Sequence, residues 1–478
     1  MFWFNKACNN VYKKVYDKAY NDMYNNIYNN IYNKKYKIKC MKSYKVSSMS
    51  KTTLKSNKDS AYKPELLIGA GDMERLKTAI HFGADAVYFG GKAFGLRAFA
   101  SNFDDITIPV EYCHRHGKKA YVTVNIYARN FDFEELKKYL KYLHSSKVDG
   151  IIVSDIGIMS IAKQIVPDLE LHVSTQANTT NFISALEYAN NYNAKRVVLA
   201  RELTFPEIKQ ITNVLSEKDV ETEIFVHGAM CISYSGRCLL SNFLTGRDSN
   251  RGACVQACRW AYSLVENDKT IKQQKDKAKE PMPIEEDEHG TYILNSKDLC
   301  LIEHLKSLID AKIKSFKVEG RMKSPYYVAT VTNAYRKAID GILEGKEVDL
   351  KSLKTELLKC SHRDYTTGFA FSDGNNLQNY QTSHQTQSSE FLGIITAVDN
   401  STKKIQIEMR NRFKVGDTVE FLAKQIDTIG YKSKIVSMQN EKGEEVLDAK
   451  LVQERLWVAF EDEKLAEQLL PLDIIRSC

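Results

Sequence analysis

From Lys63 onward, short β-branched or aromatic runs alternate with helix-period segments, and this alternation constrains the fold more than any other feature. The runs are "ELLIG" (65–69), "AVYFG" (86–90), "KAYVTVN" (119–125), "GIIVS" (150–154), "ELHVS" (170–174), "RVVLA" (196–200), "TEIFVH" (222–227) and "IKSFKV" (313–318). Segments such as "MERLKTAIHFG" and "FEELKKYLKYLHSS" lie between them. A strand joined to the next through a helix returns parallel to it, so eight such units predict an α/β fold, a TIM-like (β/α)8 barrel over residues 63–345. An open doubly wound sheet is the alternative.

The rhythm breaks once. Between the seventh and eighth runs lies an insertion, 228–312, of about 85 residues, against roughly 25 to 35 for an ordinary βα unit. It opens on a cysteine-rich stretch. Its later part, "ENDKTIKQQKDKAKEPMPIEEDEHG", is charged and reads as a mobile loop. After the eighth run, "SPYYVATVTNAYRKAIDGIL" reads as a closing helix. Residues 346–389 form a connecting segment ending in the polar linker "SDGNNLQNYQTSHQTQSSE". From about 390 to 478, short strands and turns predict a small all-β, barrel-like module.

The net charge of +8 suggests nucleic acid, but its location weakens the hint. Residues 1–60 hold thirteen lysines against three aspartates, a balance of +10, which leaves −2 for the rest. Any RNA contact by the folded body must therefore use a local patch. In the N-terminal stretch Tyr recurs at every fourth position from Tyr12 to Tyr36. That period drifts by about 40° per repeat around a helix, so residues 1–60 read as a low-complexity, disordered tail. No run of about eighteen apolar residues predicts a membrane span. "MFWFNKACNN" has no apolar core for a secretory signal, so a cytoplasmic, reducing compartment is expected. There, clustered cysteines serve as metal ligands or reactive thiols more often than as disulfides.

In such a barrel, chemistry gathers at the C-terminal ends of the strands. Those ends carry Asp72, Arg97 and Asn102, Asn125, Ser154 and Asp155, Gln176 and Asn178, Arg201 and Glu202, His227, then Glu319 and Arg321. Some will be helix caps. The others converge on one concave polar site. Arg97, Arg201 and Arg321 could grip an anion, because a guanidinium pairs two-pronged with carboxylate or phosphate. Glu202 and Glu319 could move a proton, or hold an arginine in place.

"HGAMCISYSGRCLLSNFLTGRDSNRGACVQACRW" (227–260) concentrates Cys231, Cys238, Cys254 and Cys258 out of ten cysteines in the chain. Structural zinc prefers close Cys-x2–4-Cys pairs on both sides, and the 254/258 pair alone qualifies. A [4Fe–4S] cluster needs four thiolates without tandem spacing, and Cys300 in "LNSKDLC" is a plausible further ligand. Zinc, a buried structural role, and a cysteine nucleophile at Cys231 with His227 as base remain open. Gly-x-Ser-x-Gly and His-Glu-x-x-His are absent.

"ETEIFVHGAMCISYSGRCLLS" resembles the signature of the U32 peptidase family, with Glu223, Phe225, Gly228, Ala229, Met230, Cys231, Gly236, Cys238, Leu240 and Ser241 filling its positions. "GADAVYFGG", "HVSTQANTTN", "RVVLARELT", "KVEGRMKSPYYVA" and "SHRDYTTGF" are similar to further family blocks, whereas "GAGD" departs from the more usual Pro-Ala-Gly. The Arg247–Trp260 block and the C-terminal module resemble the tRNA-hydroxylating branch. The resemblance implies a [4Fe–4S] protein that makes 5-hydroxyuridine at the wobble position of tRNA without oxygen. It also implies prephenate, a small dicarboxylate, as co-substrate and an unidentified electron donor. Cys231, Cys238, Cys258 and Cys300 would be the ligands, with Cys254 the rival for the third place. The catalytic set would be Arg97, Gln176, Asn178, Arg201, Glu202, His227, Glu319 and Arg321. Other members imply a collagenase-like protease, or hydroxylation of ribosomal RNA or a quinone precursor.

Overall fold

A strand covered on both faces tends toward a continuous apolar run, and about half of the runs beginning at Glu65, "GIIVS" and "AVYFG" among them, are of that kind. The computed structural model describes residues 62–97, 100–260, 296–372, 377 and 385–478, with the backbone of three short strands between 262 and 283. Its first seven strands are β1 (Glu65–Gly69), β2 (Ala86–Phe89), β3 (Lys119–Val124), β4 (Gly150–Val153), β5 (Glu170–Val173), β6 (Ala194–Val198) and β7 (Glu221–Ala229). β8 (Asp298–Cys300) and β9 (Ser315–Val318) follow. β1 to β7 pair in parallel in chain order, and β9 pairs in parallel with both β1 and β7, which closes an eight-stranded barrel.

Helices α1 (Met73–His81), α2 (Thr107–Arg115), α3 (Phe133–Ser145), α4 (Ile156–Ile165), α5 (Phe182–Tyr192) and α6 (Phe205–Ser216) fill the crossovers. Two of the polar strand ends prove to be caps. Asp72 accepts from the Arg75 amide, and Asp155 from the Gly157 and Ile158 amides, satisfying N–H groups that a helix start leaves unpaired. β6 begins at Ala194 rather than Arg196, because Asn193 ends α5 in the left-handed region and feeds straight into the sheet.

The insertion is not all loop. β8 lies antiparallel on the end of β7, with Leu299 opposite Gly228 and Cys300 opposite His227, and Tyr365–Thr366 pairs on its other edge. This support extends β7 to Ala229. Beyond β9, α7 (Pro325–Leu343) buries twelve residues, and α8 (Leu350–Leu357) packs against it.

The C-terminal module holds β10 (Phe391–Asp399), β11 (Lys404–Met409), β12 (Thr418–Leu422), β13 (Lys432–Asn440), β14 (Arg455–Phe460) and β15 (Ile474–Ser477). They close an antiparallel barrel in the order β10-β11-β14-β13-β12-β15. Its own core includes Ile395, Ile407, Met438, Val458 and Ile475, while Ile394, Leu422 and Ile474 join the core of the larger barrel. At the junction Arg476 is fully buried between Glu356 of α8 and Glu420 of β12. The expected disordered tail over 1–60 and most of the charged loop and polar linker lie outside the described residues. Among the described residues no helix is long and apolar enough to cross a membrane.

Candidate active site

Alternate residues on the barrel strands point inward, and they change character from bottom to top. The floor is ionic. Arg196 of β6, 2% exposed, meets Glu65 at 2.6 Å, Glu221 at 2.6 Å and Glu223 at 3.0 Å. The Lys317 ammonium donates to Glu223 at 2.7 Å and stands 4.3 Å from the Tyr88 ring centroid. Burial would raise the Glu223 carboxyl, but Lys317 and Arg196 outweigh it and hold it down at about 2. Leu67, Ala86, Tyr88, Tyr121 and Ile152 form an apolar belt inside the barrel.

Above the belt lies a cavity of about 300 Å3, walled by Tyr88, Thr123, Ile152 and Phe225 and roofed by the loop that follows β7. Arg97, Arg201, Arg259, Lys317, Arg321 and Lys323 line it, and Glu319 is the one carboxylate among its described lining residues. Arg97 reaches Glu319 at 3.8 Å, and the Tyr88 hydroxyl donates to Glu319 at 3.3 Å. Burial pushes the Glu319 carboxyl up, but Arg97 and Arg321 win and keep it below its ordinary value. Arg201 donates to the Ala229 carbonyl at 2.9 Å, and its Nε is buried without a partner, as is the Nε of Arg321. A buried donor left unpaired is costly, so these guanidiniums suit an anionic guest.

Arg321 also has a structural task. It donates to the Leu96 carbonyl at 2.8 Å, the Thr123 hydroxyl at 3.2 Å and the Asn102 side chain at 2.6 Å, pinning the loop after β2. That loop puts Arg97 in the left-handed region, at φ 70°. Glu202 accepts from the Ser235 amide at 3.2 Å and so anchors the roof.

The roof brings Cys231, Cys238, Cys254 and Cys258 onto one cavity wall. The Cys231 thiol donates to Cys238, which lowers Cys238 and holds Cys231 well up. Burial raises Cys258, with Cys254 and Cys238 adding to it as neighbours. Cys254 and Cys258 do not share a helix. Gln256 is left-handed at φ 56°, and Cys258 sits in the single turn Ala257–Arg259. Among the described residues no three His, Cys, Asp or Glu side chains stand close enough to chelate an ion as they are. The donor set nevertheless suits a thiolate-bound group, being four cysteines beside cations that would offset the negative charge of such a cluster.

Of the residues expected from sequence, Arg97, Gln176, Arg201, Glu319, Arg321, Cys231, Cys238 and Cys258 line the cavity, and Cys254 joins them. Asn178, Glu202, His227 and Cys300 do not. Asn178 is a left-handed cap whose Oδ1 has no partner. Cys300 is buried in the main core beside Tyr335. His227 is 1% exposed, packed among Tyr327, Tyr335 and Tyr365, and burial lowers it to about 3. β7 is extended there, so His227 and Cys231 do not share a helix face and His227 is absent from the cavity wall. Lys317, Lys323, Arg259 and Tyr88 were not foreseen. For Lys317 a signal existed, since it lies on the last run two residues before Glu319, and extended chain puts residues two apart on one face.

Residues 71–379 match the model of peptidase family U32, and residues 387–476 that of the peptidase family U32 C-terminal domain. The chain is 41% identical to tRNA hydroxylation protein P1 of Bacillus subtilis (strain 168), over 81% of this chain and 89% of the relative. It is 35% identical to tRNA hydroxylation protein P of Escherichia coli (strain K12), over 80% and 90%. With the 23S rRNA 5-hydroxycytidine C2501 synthase of Escherichia coli (strain K12) it shares 32% identity, over 80% and 56%.

Proposed function

The chain belongs to peptidase family U32, and from this premise we propose that it is a tRNA-modifying enzyme that hydroxylates the wobble uridine to 5-hydroxyuridine. The observation that carries the reading is the cavity itself. Four thiols and six cations line one chamber at the barrel mouth, in a chain 41% identical to a tRNA hydroxylation protein. A protease using Cys231 would need a base, and His227, buried among tyrosines, is not on the cavity wall.

Replacing C5–H by C5–OH with oxygen from water releases two electrons and two protons, so the site would need a redox group and an electron acceptor to take them up. Cys231, Cys238, Cys254 and Cys258 would hold a [4Fe–4S] cluster, which when bound supplies one-electron transfer. This set takes Cys254 in place of Cys300. The remaining work belongs to the chain's own side chains. Arg97 and Arg201 would bind the carboxylates of a small dicarboxylate such as prephenate. Glu319 orients Arg97, and Arg321 holds the loop that presents it. Tyr88, Ile152 and Phe225 wall the chamber with rings and aliphatic carbon, excluding water where charges must be felt strongly.

The test is nucleoside mass spectrometry of tRNA and ribosomal RNA from a deletion strain. 5-Hydroxyuridine should disappear from tRNA, return with the wild-type gene, and stay absent with Cys254→Ser. Anaerobically purified Cys254→Ser should lose iron and sulfide, while Cys300→Ser keeps both. Unchanged 5-hydroxyuridine in the deletion strain sinks the reading, and loss of a ribosomal 5-hydroxypyrimidine instead redirects it to ribosomal RNA.

A further inference from the structure

The segments around the cavity mouth carry large apolar side chains that no described residue covers. Tyr234 is 57% exposed, Leu239 71%, Phe243 79% and, across the mouth, Phe131 73%. Burying such groups is the usual outcome of folding, and a cluster left out around a cavity marks a contact surface. The loops that carry them are tied together. Asn250 donates to the Cys238 carbonyl, next to Leu239, and its own carbonyl accepts from the Tyr127 amide. Arg251 donates to the Tyr127 carbonyl and Asp132, and its guanidinium lies 5.6 Å from the Phe131 ring. Tyr234 belongs both to the rim and to the cavity wall.

The charge on the loop after β7, which carries Tyr234 and Phe243, is one-sided. Residues 231–260 contain Arg237, Arg247, Arg251 and Arg259 against Asp248 alone, a net +3 in a chain whose residues 61–478 sum to −2. Arg237 and Arg247 are exposed, and Arg129, also exposed, leans on Asp248 at 3.8 Å. Rings that bases can stack on, interleaved with arginines that can follow phosphates, are the chemistry of single-stranded nucleic acid recognition. A duplex would hide the faces those rings need, and its bases could not enter a chamber.

We propose that Phe131, Tyr234 and Phe243, with Arg237 beside them, form a stacking rim that grips an unpaired RNA loop and presents one extruded base to the cavity. The inference rests on the tRNA reading and adds to it the surface that selects a loop over a stem. Tyr234, on the boundary, stacks on the entering base, and Phe131 and Phe243 hold its neighbours. Arg237 follows the backbone.

The test is fluorescence anisotropy with full-length protein and a labelled RNA hairpin bearing a seven-nucleotide loop, against a blunt duplex of the same stem. Each of Phe131→Ala, Tyr234→Ala and Phe243→Ala should weaken hairpin binding about 5-fold or more. Tyr234→Phe should bind within about 2-fold of wild type. Arg237→Ala should flatten the salt dependence by about 0.7 in slope, which the ring variants should leave alone. 2-Aminopurine at the target position should brighten on binding wild type and not Tyr234→Ala. Thermal unfolding of each variant separates lost contact from lost fold. Equal binding of duplex and hairpin, folded ring variants that bind like wild type, or a wild type that ignores the hairpin would each overturn the rim. None of these outcomes touches the nucleoside profile, by which the tRNA reading stands or falls on its own.

Discussion

Glu223 shows how one side chain can serve both the fold and the site. It is fully buried, accepts from Lys317 below the cavity, and shares Arg196 with Glu65 and Glu221. Its folded carboxyl is depressed from 4.5 to about 2, so its contribution is complete above pH 4.5 and disappears as pH falls toward 2. That shift corresponds to roughly 3 kcal/mol. Glu223→Gln should destabilise the protein by about 3–5 kcal/mol at pH 7, because Arg196 and Lys317 stay buried with less to pair with. It should also flatten the loss of stability between pH 4.5 and 2. Urea unfolding at a series of pH values checks both, and a variant with the wild-type acid profile would refute this account of the floor.

At the scale of elements, the loop after β7 does the positioning. Cys231 and Cys238 are brought together by a turn whose Gly236 has φ 76° and packs against β5's exit loop. A Cβ on Gly236 would lie 2.2 Å from the Gln176 carbonyl oxygen and 2.4 Å from the Tyr127 hydroxyl. Backbone cannot yield as a side-chain tip can, and the φ itself disfavours any L side chain. Gly236→Ala should therefore lift the loop off the barrel mouth and lower iron and sulfide content several-fold, while the barrel's far-ultraviolet dichroism stays unchanged. Full cluster occupancy in this variant would show that the turn is not what sets the thiols.

At the scale of the molecule, the two barrels share a buried ionic joint. Arg476 of β15 is held between Glu356 and Glu420, and Lys359 bonds both carboxylates. The pair of carboxylates is tolerable inside only because two cations face it. Arg476→Ala should cost about 3–5 kcal/mol and split a joint unfolding transition into two, as the small barrel with its separate core comes loose. Differential scanning calorimetry reads this directly, and a single transition at the wild-type temperature would show that the apolar contacts of Ile394, Leu422 and Ile474 suffice.

The parallel barrel and the small β-barrel were legible in the chain because periodicity and strand length are local properties. The strand-end residues Arg97, Gln176, Arg201, Glu319 and Arg321 were legible for the same reason, since strand ends in such a barrel meet at one mouth. What only the tertiary structure decided is direction. Cys300 lies in the same insertion as the window, yet its strand turns it toward Tyr335. Cys254, read as the spare, faces the chamber because a left-handed Gln256 swings the loop. His227 lies near the end of β7 and still points into a tyrosine core. Lys323, beyond β9, became visible as a cavity cation only once the loop after that strand had a position. Residue type and spacing say which groups can meet. Strand pairing and the sign of a few φ angles say which of them do.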